Sequence, residues 1–161
     1  MKIAVIGNGA CALNTLTGDI IDRCDHIVRL GNFVISGYEK FVGGRTTIIG
    51  TTRRKIDNIH LANLIWYVED MTSQENSDMI RNLKYTDDMS IYSYRPTIGT
   101  RILQKVLDTF EPAEVYVKGF DFLSTGWYWN QEHSYGAVSH PTILEKIYYR
   151  KLIRGKKIIE I

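Results

Sequence analysis

Residues 2–10 read KIAVIGNGA, a short apolar run that passes directly into two closely spaced glycines. An uninterrupted apolar run of this length predicts a parallel strand that is covered on both faces. Gly7 and Gly9 allow a tight turn and leave backbone amides unpaired at the start of the helix expected next. Such amides and the dipole of the helix both favour anions. The turn from Gly7 to Ala10, with Asn8 inside it, therefore predicts a phosphate or nucleotide site.

The rest of the chain alternates between predicted strands and predicted helices. We expect further strands at residues 26–30, 46–50, 89–94, 114–118 and 157–161, and helices at 12–23, 72–83, 100–109 and 142–154. The apolar segment 59–68 fits either state. This alternation predicts an α/β fold, a single Rossmann-like nucleotide-binding domain over residues 1–161 with a mostly parallel sheet.

Several polar residues and glycines follow directly after the predicted strands. Gly7, Asn32, Thr97 and Asp121 all lie at such positions. Because ligands of open parallel sheets bind beyond the carboxyl ends of the strands, we expect these residues to converge on one crevice.

Charge and composition argue against several classes of protein. The 161 residues carry a formal net charge of +2, so nothing indicates a nucleic-acid partner. The two cysteines lack metal-ligand spacing, and no D-x-D, HExxH or Cys/His cluster indicates a metal. No apolar run is long enough for a signal peptide or a membrane span, which predicts a cytoplasmic protein. The basic segment 150–157 is typical of a solvated helix face, and alternatively of peripheral contact with an anionic membrane.

The segment 7–12 also fits the dinucleotide fingerprint G-x-G-x-x-A. In proteins with that fingerprint, an acidic residue after the second strand normally binds the ribose. Here the second strand ends in VRLGN, at residues 28–32, and no acidic residue follows it there. Arg29 leaves an NADP-binding site as an alternative, because a guanidinium can bind a 2′-phosphate. A plainer alternative is that the two glycines only permit a tight strand-to-helix turn.

A second strand-to-helix turn lies at Thr97, Ile98 and Gly99, after Pro96. Threonine can cap the helix, and glycine lets a ligand approach the backbone. An ordinary capped helix explains this pattern equally well.

Gly119 and Asp121 end the strand at 114–118 and open a long aromatic loop over residues 121–139. Such a loop is typical of a lid or an acceptor site, and alternatively of a flap that covers the core. The hydroxyl groups of its tyrosines are candidates to donate hydrogen bonds to a departing phosphate.

His140 precedes Pro141 and the last predicted helix, and Glu145 follows in the first turn of that helix. The positive end of the helix dipole favours the neutral imidazole that a general base needs. A histidine at a helix start is more often a cap or a surface residue, and His133 is an equal competitor on spacing alone.

Taken together, these segments resemble the sialylmotifs of the CMP-sugar sialyltransferases of glycosyltransferase families 29 and 42. Residues 3–9 and 24–30, with GYEKFVGGRTT at 37–47, are similar to the large sialylmotif. PTIG at 96–99 through EVYVKGF at 114–120 is similar to the small motif, and His140-x-x-x-x-Glu145 to the very small motif. The segments occur in the order of the family and cover most of the chain.

The resemblance implies a metal-independent, GT-A-variant-like fold that binds a CMP-sugar donor and a glycan or glycolipid acceptor. It implies that His140 is the general base for a direct, inverting displacement at the anomeric carbon, with Glu145 supporting the site. The residues implied to bind the donor are Gly7, Asn8, Gly9, Ala10, Arg29, Asn32, Thr97, Ile98, Gly99, Gly119 and Asp121, with Tyr128 or Tyr135 steadying the departing phosphate.

The chain departs from the family pattern in three respects. The family usually places an asparagine where Gly31 stands, and here Asn32 follows one residue later. Cys11 and Cys24 do not fall where the animal enzymes form a disulfide, which favours a bacterial or viral type. The chain is also short, so acceptor-binding elements are expected from another subunit of a homo-oligomer, or the protein is a non-catalytic CMP-binding homologue. The donor sugar, sialic acid or Kdo, stays open.

Overall fold

The computed structural model describes residues 1–52, 56–67, 96–110, 114–132, 140 and 142–161. The strands are β1 (Lys2–Ile6), β2 (His26–Leu30), β3 (Ile48–Thr51), β4 (Leu64–Tyr67), β5 (Glu114–Lys118) and β6 (Ile159–Glu160). The α-helices are α1 (Gly18–Asp22), α2 (Glu39–Val42), α3 (Ile98–Thr109) and α4 (Thr142–Arg154). Two 3₁₀ turns lie at Ala10–Leu13 and Ile59–Leu61.

The six strands form one sheet in the order β4-β3-β2-β1-β5-β6. Every pair of neighbouring strands is parallel. The chain runs from β1 outward to β4 on one side and then adds β5 and β6 on the other side of β1. The direction of strand addition therefore reverses between β1 and β5, and ligands of doubly wound sheets bind at this kind of switch point. The predicted α/β fold with a mostly parallel sheet is confirmed.

The buried apolar side chains divide between the two faces of the sheet. Ile3 and Val5 of β1 point to the face covered by α3 and α4. Ala4 and Ile6 point to the opposite face, against α1, α2 and the aromatic loop after β5. All of these side chains are 0–1% exposed. The apolar run that opens the sequence is thus a central strand covered on both sides, as parallel strands are.

Helix α3 begins where the side chain of Thr97 accepts a hydrogen bond from the amide of Thr100. Ile102, Leu103 and Val106 lie on the buried side of the helix. A Cβ atom added at Gly50 of β3 would lie 2.5 Å from Cδ1 of Ile102. The absence of a side chain at Gly50 therefore lets α3 pack directly against the sheet.

The segment after β1 differs from the prediction of one helix over residues 12–23. A 3₁₀ turn ends at Leu13, and α1 begins only at Gly18. The buried ammonium of Lys118 donates to both the carbonyl oxygen and Oγ1 of Thr15, at 3.1 and 2.6 Å. This tertiary contact takes the carbonyl that a continuous helix would use, so the local helical pattern is overridden.

Other boundaries agree more closely with the sequence. The bounds of β1, β2, β5 and α4 are as predicted, and the ambiguous segment 59–68 contains a 3₁₀ turn followed by β4. The strand predicted at 46–50 begins at Ile48, and the one predicted at 157–161 is restricted to Ile159–Glu160. The helix predicted at 72–83 and the strand predicted at 89–94 lie outside the described residues. None of the described helices combines the length and the hydropathy needed to cross a bilayer.

Candidate functional site

A cavity of about 290 Å³ lies at the carboxyl ends of the central strands, beside the switch point between β1 and β5. The residues after four strands reach it, together with the start of α3 and His140, two residues before α4. Its described lining residues are Gly7, Asn8, Gly9, Leu30, Gly31, Asn32, Thr51, Thr52, Thr97, Ile98, Gly99, Gly119, Phe120, Asp121, Phe122, Leu123, Trp127 and His140. The four residues expected to converge from separate strand ends all line this one cavity.

Asn8 joins the turns that follow β1 and β2. Its Nδ2 donates to the carbonyl oxygens of Leu30 and Asn32, at 2.9 and 3.1 Å. Its Oδ1 is buried and meets no hydrogen-bond donor among the described residues. A buried amide oxygen normally has a partner, since burial without one costs about 1–3 kcal/mol. Asn8 thus lines the cavity and keeps one buried acceptor that has no partner among the described residues.

The glycine turn itself does not leave its amides bare. The N–H groups of Gly7 and Gly9 donate to the carbonyl oxygens of Lys118 and Gly119, at 2.7 and 3.0 Å. The N–H of Ala10 donates to Oγ1 of Thr125, and Ala10 does not line the cavity. The expectation of free amides at a helix N-terminus is therefore wrong for these three residues.

The close approach of two strand ends explains the glycines instead. A Cβ atom at Gly7 would lie 2.4 Å from the carbonyl oxygen of Gly119, and one at Gly119 would lie 2.5 Å from that of Gly7. Gly119 also has a φ of +73°, which glycine adopts most readily. These contacts explain Gly7 and Gly119 by the close packing of the ends of β1 and β5, which neither the anion-site prediction nor the tight-turn alternative described.

Glu145 ties α4 to the start of α3. Its carboxylate accepts hydrogen bonds from the amide and the hydroxyl of Thr97, at 2.5 and 2.8 Å. Glu145 is 0% exposed, and burial raises the pKa of its carboxyl group, although the hydrogen bonds from Thr97 act in the opposite direction. Glu145 does not line the cavity among the described residues, so it acts on the site through Thr97.

His140 lines the cavity from the loop before α4. Its carbonyl oxygen accepts a hydrogen bond from the amide of Thr142 at 2.8 Å, which fixes the chain at the entry to the helix. His140 also lies close enough to Glu145 for a favourable charge interaction, which lowers the pKa of that carboxyl group against the larger effect of burial.

Asp121 organises the loop after β5. Its carboxylate accepts from the amides of Leu123 and Thr125, at 3.1 and 3.2 Å, and from the hydroxyl of Thr125. Phe122 and Leu123 both have positive φ, +58° and +62°, which is rare for such residues and stores strain. Asp121 thus holds a strained cavity wall with its side-chain oxygens.

Arg29 lies away from the cavity, which corrects its assignment to the ligand. It is 1% exposed, and its guanidinium donates to the carbonyl oxygens of Val42, Gly43 and Arg45 and to Oγ1 of Thr46. Burial lowers its pKa to about 10. The Nε and Nη2 groups of Arg29 hold the segment after α2 against β2, while Nη1 is buried and has no partner among the described residues. Because the side chain is buried away from the cavity, it does not reach a ligand there.

Tyr128 also lies away from the cavity. It is 2% exposed, its hydroxyl donates to the carbonyl oxygen of Val34, and burial raises its pKa to about 12. It therefore packs within the core and does not steady a departing group. Tyr135 and the competing base His133 lie outside the described residues.

Asn32 lines the cavity, although its side chain is engaged with Asp57. Its Nδ2 donates to Oδ2 of Asp57 at 3.0 Å, and its Oδ1 accepts from the amide of Asp57 at 3.2 Å. This two-point contact joins the loops after β2 and β3.

Several cavity residues were missed by sequence reasoning. Thr51 and Thr52 end β3 and begin the next loop, and Phe120, Phe122, Leu123 and Trp127 come from the loop after β5. The position of Thr51 and Thr52 at a strand end was a usable signal. The aromatic loop was singled out as a whole, and its sequence did not distinguish residues that face a cavity from those that face the core. Within the described part of the chain, no group of three or more His, Cys, Asp or Glu residues is arranged to hold a metal ion.

Comparison with known proteins gives the class that this fold and site define. Residues 1–94 match the family model of glycosyltransferase family 29 (sialyltransferase). Because the match covers more than half of the 161 residues, the chain belongs to this family.

The curated relatives are animal sialyltransferases. The chain is 45% identical over 52 residues to chicken alpha-N-acetylgalactosaminide alpha-2,6-sialyltransferase 1, which is 32% of this chain and 9% of that protein. It is 40% identical over 47 residues to human CMP-N-acetylneuraminate-beta-galactosamide-alpha-2,3-sialyltransferase 4, which is 29% of this chain and 14% of that protein. The chain therefore spans only a small part of these relatives. Since they are animal proteins, the expected bacterial or viral type is not supported.

The fold is similar to solved sialyltransferase structures. A mammalian sialyltransferase in complex with Gal-beta-1-3GalNAc-ortho-nitrophenol superposes with a TM-score of 0.66 and 18% identity, covering 99% of this chain and 68% of that one. Another mammalian sialyltransferase structure superposes with a TM-score of 0.64 and 21% identity, and again the match covers 99% of this chain and 68% of that one. At these identities the likeness establishes the fold.

Proposed function

We propose that this chain transfers sialic acid from CMP-sialic acid to a hydroxyl group of a glycan, by a metal-independent, inverting reaction in which His140 is the general base. The observation that carries the proposal is that one cavity at the switch point collects Asn8, the pair Thr97 and Gly99, and His140 from three separate segments. Membership of glycosyltransferase family 29 supports the choice of a CMP-sugar as donor.

The donor nucleotide would occupy the space between the turn at Asn8 and the start of α3. The unused Oδ1 of Asn8 is suited to accept a hydrogen bond from a hydroxyl or amino group of the nucleotide. Ile98 and Gly99, at the first turn of α3, line the same space beside Thr97.

The proposed reaction needs a base and a leaving group. His140 takes the proton from the acceptor hydroxyl, whose oxygen then forms a bond to the anomeric carbon of the donor sugar. The bond from that carbon to the phosphate oxygen breaks, and the electron pair leaves with CMP. The phosphate of CMP is a good leaving group, so the step does not require a metal ion. Glu145 acts as a positioning residue, because it holds Thr97 and lies on the helix that follows His140.

His140→Ala tests the role of the base. The substitution should lower transfer from CMP-sialic acid to a Gal-β-1,3-GalNAc glycoside by about 10²-fold or more, while CMP binding measured by calorimetry is retained. His60→Ala is the matched control, since His60 lies exposed on the 3₁₀ turn at Ile59–Leu61 and does not line the cavity. A normal rate in His140→Ala would refute the assignment and direct attention to His133.

The alternatives give distinct results in the same assay. If CMP binds but neither CMP-sialic acid nor CMP-Kdo is consumed, the protein is a non-catalytic CMP-binding homologue. If CMP-Kdo is consumed and CMP-sialic acid is not, the donor sugar is Kdo. The buried position of Arg29 argues against the NADP-binding oxidoreductase, and binding of NADPH in place of CMP would reverse that judgement.

A further inference from the structure

A second concave surface continues from the cavity and forms a groove of about 730 Å³. It lies between the loops after β2 and β3 on one side and the aromatic loop after β5 on the other. Asn32 and Trp127 line both the cavity and this groove, so an occupant of one would adjoin an occupant of the other. His140, Thr97 and Asn8 line the cavity and are absent from the described lining of the groove.

Two tryptophan rings form one wall of the groove. Trp127 and Trp129 are stacked, with their ring centroids 5.1 Å apart and their planes at 25°. The ring of Tyr128 packs edge-on against Trp129 at 4.7 Å. Tyr128 is itself fixed, because its amide donates to the carbonyl oxygen of Asn8 at 2.9 Å. The indole rings are therefore held in place before any ligand binds.

A second part of the groove lining, residues 32–35, is held by hydrogen bonds from four different segments. Each of its four carbonyl oxygens accepts one. The donors are Nδ2 of Asn8 on Asn32, Nδ2 of Asn58 on Phe33, the hydroxyl of Tyr128 on Val34, and the amide of Tyr38 on Ile35. Both parts of the groove lining are thus preorganised, which lowers the conformational cost of binding.

We propose that this groove binds the sugar units of an extended glycan acceptor that lie beyond the unit receiving the transferred sugar. The proposal rests on the proposed function, because the reacting hydroxyl must lie in the cavity beside His140, whereas the groove shares Asn32 and Trp127 with the cavity and does not include His140 in its described lining. The terminal sugar of such an acceptor would occupy the cavity. Its remaining sugar units would pass Asn32 and Trp127, which line both spaces, and enter the groove.

The chemistry of the groove matches a hydroxyl-rich sugar chain. One face of a pyranose ring presents C–H groups, which pack against the electron-rich face of an indole ring. The carboxylates of Glu39 and Asp57 line the groove and can accept hydrogen bonds from sugar hydroxyls. A volume of this size, with aromatic walls and a few polar groups, falls within the range of about 300–1,000 Å³ that is usual for ligand sites.

The three tryptophans allow a direct test by NMR of the indole N–H groups in the ¹⁵N-labelled full chain. Lacto-N-tetraose, a neutral tetrasaccharide that ends in galactose, should shift the signals of Trp127 and Trp129. Methyl β-galactoside should leave Trp129 unchanged, because one sugar unit does not reach beyond the cavity. Trp66 is the internal control, since it stacks on Phe110 in the core and lines neither space.

A conservative variant separates contact from folding. Trp129→Phe keeps an aromatic ring in the same packing but reduces the stacking surface, and should weaken lacto-N-tetraose binding about 2- to 10-fold as followed by the Trp127 signal. Its affinity for CMP should be unchanged. Trp66→Phe should alter neither affinity.

The two proposals fail in different ways. If CMP shifts the Trp127 signal but lacto-N-tetraose leaves Trp129 unmoved, or moves Trp66 equally, the groove is not a glycan subsite and the inference is overturned. If lacto-N-tetraose shifts Trp129 while CMP binds nowhere, the groove binds sugar and the proposed transfer from a CMP-donor fails.

Discussion

Glu145 links two parts of the candidate site through a side chain that does not itself line the cavity. Its buried carboxylate accepts both the amide and the hydroxyl of Thr97, so the start of α3 is fixed relative to α4. The resemblance to the very small sialylmotif implied that Glu145 supports the site. It could not show the partner, because Thr97 is 48 residues away in the chain.

Two substitutions at Glu145 should separate its hydrogen bonds from its charge. Glu145→Ala leaves the amide and hydroxyl of Thr97 without their acceptor, and should lower the free energy of unfolding by about 1–3 kcal/mol. Glu145→Gln should cost less, because its amide oxygen can still accept from the Thr97 amide and its NH₂ can donate to the Thr97 hydroxyl. Urea unfolding of the three proteins gives the comparison. Equal losses in the two variants would contradict a role through hydrogen bonds.

The charge of Glu145 should appear as a pH dependence of stability. Burial raises the pKa of its carboxyl group above the ordinary value of 4.5. Between pH 4.5 and the folded-state pKa, the folded protein therefore holds a proton on Glu145 that the unfolded protein has released. Wild-type stability should therefore fall, relative to Glu145→Gln, as pH rises from about 4.5 through the folded-state pKa. The free-energy difference between the two proteins, measured by urea unfolding from pH 4 to pH 8, checks this. A difference that moves the other way would mean that the hydrogen bonds from Thr97 outweigh burial.

Among individual residues, the sequence predicted the strand-end positions of the site better than the roles of charged and aromatic side chains. Gly7, Asn32, Thr97 and Asp121 line the cavity because the end of a parallel strand fixes where the following residue lies. Arg29 and Tyr128 do not, because the direction of a side chain depends on which carbonyl groups the folded chain brings near it. Neither the five-residue strand around Arg29 nor the loop pattern around Tyr128 contains that information.

At the scale of elements, the position of α3 depends on its contact with β3. A Cβ atom added at Gly50 would lie 2.5 Å from Cδ1 and 2.6 Å from Cγ1 of Ile102, a side chain that is 0% exposed. This contact sets the depth of the helix on the sheet, and so the position of Thr97 to Gly99 at its N-terminus. No periodicity in the sequence reports such a contact, because it joins one glycine of a strand to one side chain of a distant helix.

Gly50→Ala should therefore displace α3 and lower the free energy of unfolding by about 1–3 kcal/mol. Ile102→Ala alone should cost about 2–5 kcal/mol through the cavity it leaves. In the double variant the new methyl group fills part of that cavity, so the combined loss should be smaller than the sum of the two by about 0.5–3 kcal/mol. Gly44→Ala is the matched control, since its Cβ would meet Asp22 at an ordinary 3.6 Å. Strict additivity at positions 50 and 102 would show that α3 does not rest on this contact.

At the scale of the whole molecule, the cavity depends on the arrangement of strands around β1. Segments from residue 7 to residue 140 reach it because β1 lies at the centre of the sheet and the chain returns to it twice, through β2 and through β5. The sequence predicted the class of fold because predicted strands and helices alternate along the chain, and it did not predict the order of the strands. The sequence could not predict how closely Gly7 and Gly119 approach each other. This close approach brings the ends of β1 and β5 together as two walls of one site.

A ligand that bridges these walls should stabilise the whole fold, because the cavity exists only when the segments are assembled. CMP at about 100 times its dissociation constant should add about 2.7 kcal/mol to the free energy of unfolding, and a proportionate rise in melting temperature. NADP at the same concentration should add nothing, since Arg29 is 1% exposed and does not line the cavity. Asn8→Asp tests the role of the Asn8 amide, since it replaces Nδ2, which donates to the carbonyl oxygens of Leu30 and Asn32, with an oxygen that cannot donate. Melting curves with and without each nucleotide measure the effect. The rise in melting temperature caused by CMP should be smaller in Asn8→Asp than in the wild type, and the same in Trp66→Phe as in the wild type. A stabilisation by NADP that equals that by CMP would contradict the assignment of the cavity to a cytidine nucleotide.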